Sequence, residues 1–396
     1  MGSLSNLLLS FVLAREVSIS AFGAFGIAFA IYQLLLGVSR AVVGEPTLLR
    51  GPRTASDASR AKLLHQSTLG SSLVVGTAGA ALCLVVGLVA GGEIGQACYP
   101  LAVGLPGLMM LDGMRYWEFA RATPRTAAAL DIGWLISQII GFVLVIWFGI
   151  QSLPSLMLAW AAGAYIAIVI YIVLQRLLPS LRGAMAWFYE NRDMSPRFLG
   201  EYLMISGIQQ SILLLTLFFA GLVAVGAIRA GQVIMGPVNV VSVGIAVVVL
   251  PMMARKATES TSSLKRISVR VSSFLTVSML LAGVGTQLIP DSWGEFLLGD
   301  NWENARQLAP LIAIMLAING ISYGATSGLR AMNLIRQSFW LRLAFAPIVI
   351  VSIAYGAFSG GAEGAIWGFI IAGSVQAMAW WSLYLSLAAR RAIGKS

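Results

Sequence analysis

Residues 225–256 read VGAIRAGQVIMGPVNVVSVGIAVVVLPMMARK. From Val225 to Met253 the only charge is Arg229, and the run then ends on Arg255 and Lys256. A strand occupies about 4–8 residues and a bilayer-crossing helix about 20. A run this long is therefore a membrane span, with a kink expected at Pro237, which lacks a backbone donor. Arg229, Gln232, Gly236 and Asn239 fall at i, i+3, i+7 and i+10, within one narrow arc of the helix. Charge inside a span is costly, and such groups usually face a cavity or a partner. Arg229 either lines a wet cavity or snorkels to the outer surface about a turn away.

The rest of the chain extends this reading. Of 396 residues 58% are hydrophobic and 11% charged, against about 25% charged in an average soluble domain. The mean hydropathy is +0.85. An ordinary soluble domain and a disordered chain are both excluded, leaving an all-α polytopic membrane protein. Twelve apolar runs are read as spans: 3–15, 21–44, 68–91, 97–119, 129–149, 153–175, 198–221, 225–253, 267–289, 308–329, 338–358 and 364–388. The first is about half a normal span, which suggests a start upstream of Met1 or a short helix. The longest inner loop lies near the middle and contains Pro179 and Pro196. The expected organisation is a six-helix lobe over 1–178, a joint over 179–197 and a second six-helix lobe over 198–396.

The loops alternate in charge. Those on one side hold 22 of the 26 Lys and Arg residues, from Arg50, Arg53, Arg60 and Lys62 to Arg390, Arg391 and Lys395. The others hold Arg15 and Arg306 with seven acids, among them Glu93, Asp291 and Glu363. The positive-inside rule then expects both termini in the cytoplasm, with an even number of spans. It also accounts for the net charge of +10 as a topology signal facing anionic lipid rather than nucleic acid. Cys83 and Cys98 lie in apolar stretches and read as small buried hydrophobes. Two cysteines and one histidine supply no metal-ligand spacing, and no cofactor is implied. His65, in a basic loop, is expected to be solvated.

Residues recur at about half the chain length. Asp112-Gly113 and Tyr116 match Asn319-Gly320 and Tyr323 at an offset of 207. Ala21, Gly23 and Ala24 match Ala224, Gly226 and Ala227 at 203, and Pro46 and Arg50 match Pro251 and Arg255 at 205. Chance matches are a real alternative in a chain this rich in Gly and Ala. A true repeat of six spans would be parallel, with substrate between the halves.

Other spans carry polar residues too. Gln33, Gly37, Arg40 and Gly44 share one face, with Arg40 near the inner surface. Asp112 and Arg115 are i,i+3 neighbours, as are Arg115 and Glu118, so they can neutralise one another. Asn319, Tyr323, Thr326 and Arg330 form the matching pattern later in the chain. Arginines fixed in a low-dielectric cavity favour an anion, phosphate above all. Gln33, Gln232, Asn239, Asn319 and Tyr323 suit sugar hydroxyls. A cavity open sideways to lipid could admit an acyl chain. The chemistry points to an amphiphile bearing phosphate. No P-loop, Ser/His/Asp set or pair of catalytic carboxylates appears, so no enzyme is expected.

Several motifs add a resemblance. Gly37-Val38-Ser39-Arg40 with Gly44-Glu45-Pro46, the stretch Asp112 to Trp134 with Arg115-Tyr116, Pro124-Arg125 and Asp131, and Val225 to Gln232 followed by Gly236-Pro237 and Leu250-Pro251 carry it, as does Leu297 to Trp302. Together they resemble actinobacterial polysaccharide flippases of the Wzx type, of the multidrug/oligosaccharidyl-lipid/polysaccharide exporter superfamily. The resemblance implies two six-helix lobes in a V and alternating access. The implied cargo is a sugar chain on undecaprenyl pyrophosphate, moved from the inner to the outer leaflet for cell-surface polysaccharide. It makes Arg40, Arg115 and Arg229 candidates for holding pyrophosphate, and Asp112 the candidate acid for proton or sodium coupling. The alternatives are a multidrug or cation exporter of the same superfamily, a flippase for the peptidoglycan lipid precursor, and, less favoured, a membrane-embedded polysaccharide polymerase.

Overall fold

The computed structural model describes residues 2–54 and 57–393. Lys395, and the side chains of Arg53, Leu250, Pro251, Arg255, Lys256 and Arg391, lie outside what is described. The described residues form helices joined by short turns, with no strand among them. Nine stretches among them are by themselves long and apolar enough to cross a membrane. The chain is a polytopic all-α membrane protein.

It divides into two compact units, Met1–Gln210 and Ser211–Ser396. The first begins with α1 (Gly2–Glu16) and α2 (Ile19–Ser39), which runs on through a π turn, Arg40–Gly44, into a last stretch, Glu45–Arg50. Next come α3 (Ala58–Ala90), α4 (Gly92–Ala120), α5 (Pro124–Trp147), α6 (Leu153–Gln175) and the short α7 (Leu181–Glu190). The unit ends inside α8 (Ser195–Ile234). The second unit continues with α9 (Gly236–Glu259), α10 (Thr261–Gln287), the short α11 (Asp291–Leu298), α12 (Trp302–Ala331) and α13 (Ile335–Ile393).

Two of these helices are each two spans in one. Gly221 (φ 80°) breaks α8, and Gly361 (φ 59°) breaks α13. Only glycine takes such angles without a Cβ penalty. With those breaks, and with α9 continuing the second part of α8, the segments follow the twelve apolar runs in order. The interruption expected at Pro237 falls two residues earlier, at Met235, because proline is better placed at the start of a helix than inside one. The stretch expected as the joint, 179–197, folds mostly as α7, whose Ala184 and Trp187 are buried.

Local sequence explains the helix starts. Asp57 accepts from the Ser59 and Arg60 amides ahead of α3, and Ser152 and Ser155 form a capping box ahead of α6. The outer faces stay apolar: on α3, Leu82, Leu84, Val85, Leu88 and Val89 are all exposed. In water such a surface would aggregate. In hydrocarbon it needs no cover, provided the helix satisfies its own backbone.

Within each unit the third and fourth spans meet at small residues. A Cβ on Gly76 of α3 would stand 2.6 Å from Pro106 Cα of α4. A Cβ on Gly283 of α10 would stand 2.4 Å from Ala313 Cβ of α12, with Pro310 Cα at 3.8 Å. Gly113 closes on Ser72 in the first unit, and Gly320 on the Thr276 amide in the second. The repeat offset thus has a packing counterpart: glycine lets two backbones come close where a proline-bearing helix passes.

One such contact yields a prediction. A Cβ on Gly324 would lie 2.2 Å from Ser268 O and 2.5 Å from Ser272 Oγ. Ser272 Oγ accepts from the Gly324 amide (2.9 Å) and donates to Ile321 O (2.8 Å). Backbone cannot yield as a side-chain end can, so Gly324→Ala is expected to cost about 1–3 kcal/mol. A fall in the detergent melting temperature measures it, and an unchanged melting temperature would contradict the packing.

Candidate functional site

The π turn Arg40–Gly44 follows the C-terminal end of α2. A π turn inserts one residue into the helical ladder and often marks a functional position. Here it leaves the Val42 carbonyl to Trp187 Nε1 (3.3 Å) and Ser195 Oγ (3.2 Å), and it places Arg40 opposite α4. Arg40 donates from Nε to Asp112 Oδ2 (2.9 Å) and from Nη2 to Oδ1 (2.8 Å). This is the bidentate fork that guanidinium and carboxylate geometry favours.

The pairing continues inward. Arg115 Nη1 lies 3.2 Å from Asp112 Oδ1, and Arg115 Nε lies 2.6 Å from Asp131 Oδ1 of α5. The Arg115 guanidinium also sits over the Trp134 ring, 5.2 Å from its centroid. Two arginines and two aspartates alternate across α2, α4 and α5 and cancel in formal charge. The cluster is closed at one end and open at the other: the Arg115, Asp112 and Asp131 side chains are 10%, 4% and 10% exposed, whereas Arg40 is 42% exposed.

Several expectations change at this point. Arg115 does not pair with Glu118. Glu118 accepts from Tyr171 Oη (2.5 Å) and from Thr123 Oγ1 (2.5 Å). His65 is buried rather than solvated: it belongs to α3, stacks on Trp117 at 4.6 Å and lies 3.2 Å from Tyr171 Oη. Asp112, the candidate coupling acid, is joined by two further buried acids, Glu118 and Asp131. The rule that flags charge inside spans already applies to Asp131, which lies in the fifth apolar run. What hid its role is that Arg115 reaches it across helices.

In the stripe Gln33, Gly37, Arg40 and Gly44, the two glycines are buried under tyrosines. A Cβ on Gly37 would fall inside the Tyr202 ring, and one on Gly44 would lie 2.7 Å from the Tyr116 ring. Tyr202 Oη donates to Gln33 O (2.8 Å). These glycines are seats for tyrosines, and Arg40 stands between them, 5.9 Å from the Tyr116 centroid.

In the second unit, Arg229 and Gln232 lie on α8 beyond the Gly221 break. Arg229 Nη1 donates to Gln232 Oε1 (3.3 Å). The opposite face, with Ile228, Gly231 and Met235, is buried, and Gly231 lies against Ile312 and Leu308 of α12. In the predicted stripe, Arg229, Gln232 and Gly236 are half-buried and Asn239 is exposed, while Val225 and Val233, one turn either side of Arg229, are buried. On α12, Asn319 is exposed and Tyr323 half-buried, while Gly320 and Gly324 pack inward.

No family model and no curated protein matches the chain. Solved structures do match its fold. The inward-facing conformation of a multidrug resistance MATE family transporter of the MOP superfamily is 11% identical, with a TM-score of 0.75 over 98% of this chain and 95% of that one. The lipid II flippase MurJ, inward closed, is 13% identical, with a TM-score of 0.65 over 98% and 86%. The MATE multidrug transporter DinF-BH is 16% identical, with a TM-score of 0.62 over 98% and 91%. At such identities the likeness establishes fold alone. The chain has the fold of the MOP-superfamily transporters, a fold that in these structures serves both multidrug transport and lipid flipping.

Proposed function

We propose that this chain is a flippase that moves a lipid-linked oligosaccharide, a sugar chain on undecaprenyl pyrophosphate, from the inner to the outer leaflet of a bacterial inner membrane. It works by alternating access, with both termini in the cytoplasm, in cell-surface polysaccharide synthesis. The observation that carries this reading is the Arg40–Asp112–Arg115–Asp131 cluster, closed behind Arg115 and open at Arg40. An arginine held in a fixed fork within a low-dielectric wall is suited to a phosphate oxygen.

The same geometry suggests how loading is coupled. A guanidinium has five N–H donors, and Asp112 takes two of those of Arg40. Neutralising Asp112 by a proton, or drawing it to a sodium ion, releases those donors to the cargo phosphate and leaves the cluster with an excess positive charge. In the second unit, Arg229 with Gln232 beside it is assigned to phosphate binding in its own right. Gln33, Asn239, Asn319 and Tyr323 are assigned to sugar hydroxyls.

The other reading, a multidrug exporter, draws on the same fold. A cationic drug would need an acid with charge to spare, and Asp112 and Asp131 each face a guanidinium within 3.2 Å. Lipid extracts of a host lacking the gene decide between them, analysed by mass spectrometry beside a drug-tolerance panel. A complete undecaprenyl-pyrophosphate oligosaccharide should accumulate with tolerance unchanged. Normal lipid intermediates with raised drug sensitivity would replace this proposal with the exporter.

A further inference from the structure

The helix α7 has three faces. At 3.6 residues per turn, Ala184 and Trp187 fall on one side, and both are buried. Leu181, Met185 and Tyr189 fall together on a second, within about a quarter-turn, and are 61%, 68% and 68% exposed. Arg182, Ala186 and Glu190 occupy the third, also exposed. A helix in water would not keep so apolar an edge uncovered beside a polar one. Arg176, Arg192 and Arg197 flank it and are likewise exposed. Arg192 lies over the Tyr189 ring at 4.5 Å, which sets a cation against the end of the apolar edge.

The buried side fixes the depth of the helix. Ser180, its N-cap, donates from its amide to Gln66 O of α3 (3.1 Å). A Cβ on Gly70 would lie 2.1 Å from Ser180 O, and one on Gly183 would lie 2.5 Å from Ser67 Oγ. Helix α7 is thus held beside residues 66–70, where the third apolar run begins. It follows directly on a membrane-crossing helix, α6, and leads into another, α8. A second anchor reaches the candidate site: Trp187 and Ser195 hold Val42 O of the π turn, and Arg50 donates to Glu190 Oε2 (2.5 Å) and to its carbonyl (3.0 Å).

We propose that α7 lies in the plane of the membrane on the side of the basic loops. Its Leu181, Met185 and Tyr189 edge sits among acyl chains, and Arg182 and Arg192 sit on anionic lipid headgroups. The apolar edge, the flanking cations and the level at which α3 holds the helix all meet the requirements of an interfacial helix. This inference goes beyond the cargo assignment and does not depend on it. Because Trp187 ties α7 to the turn that carries Arg40, the helix links the charge of that leaflet to the position of the candidate site.

The test uses full-length protein in vesicles, with spin labels on Met185→Cys or Ala186→Cys. Cys83 and Cys98 are buried, so only the introduced thiol is accessible. The vesicles are phosphatidylcholine alone, or equal parts phosphatidylcholine and phosphatidylglycerol. The label at 185 should collide with oxygen rather than a water-soluble nickel complex, at a depth of about 5–10 Å. The label at 186 should show the reverse. Phosphatidylglycerol should carry the 185 label deeper, and Arg182→Gln with Arg192→Gln should abolish that shift. A monodisperse elution profile shows that each variant is folded. Equal nickel access at 185 and 186 would overturn the in-plane placement. A depth at 185 indifferent to phosphatidylglycerol would overturn the role of the headgroups.

Discussion

Arg115→Met is expected to destabilise the protein by about 3–5 kcal/mol, the scale for removing one partner of a buried ion pair. Arg115 is the central cation of the cluster, 10% exposed and shared between Asp112 and Asp131. Its loss leaves Asp112 with Arg40, but it takes the Arg115 guanidinium away from the buried Asp131 carboxylate. The remedy follows from the geometry. In Arg115→Met with Asp131→Asn the buried carboxylate is gone, and most of the lost stability should return. The readouts are the detergent melting temperature and the yield of monodisperse protein. A single variant as stable as the parent, or a double variant no better than the single, would contradict the pairing of Arg115 with Asp131.

The second large effect concerns transport. On the proposed function, Arg229→Ala should leave the protein folded and in the membrane and lower cargo movement about 10–100-fold. A hydrogen bond to a charged group contributes about 1.5–3 kcal/mol, and the half-buried Arg229 has a donor to offer beside Gln232. Arg229→Lys should recover only part of the activity, because an ammonium is a point charge where a guanidinium offers a planar fork. The measurement is the lipid-intermediate level in a host complemented with each variant, at matched protein amounts. Full activity of the alanine variant would remove Arg229 from the cargo site.

Much of the architecture was legible in the chain because hydrocarbon imposes a simple rule. Backbone groups must be satisfied within the segment, so long apolar runs become helices whatever surrounds them. The expected spans accordingly appear in order, including the two pairs joined through Gly221 and Gly361. The expectation for His65 failed for a related reason. Charges nearby suggested a loop, but α3 begins at Ala58, and stacking on Trp117 buries the ring. The amphipathic segment 181–190 lay in what read as a joint. Its period was visible, but not the surface against which Trp187 docks.

By itself, the sequence determined the helical membrane class, the alternation of basic and acidic loops, and which spans carry charge. Each of these depends on local composition, and solvent, not a partner residue, sets the cost. Tertiary structure alone decided who pairs with whom. Arg40 and Asp112 are 72 positions apart, and Arg115 reached past Glu118 to Asp131. Glu118 went instead to Tyr171, 53 positions on. The strength of an ion pair depends on distance and on the dielectric around it, and both are properties of the packed helices rather than of spacing along the chain.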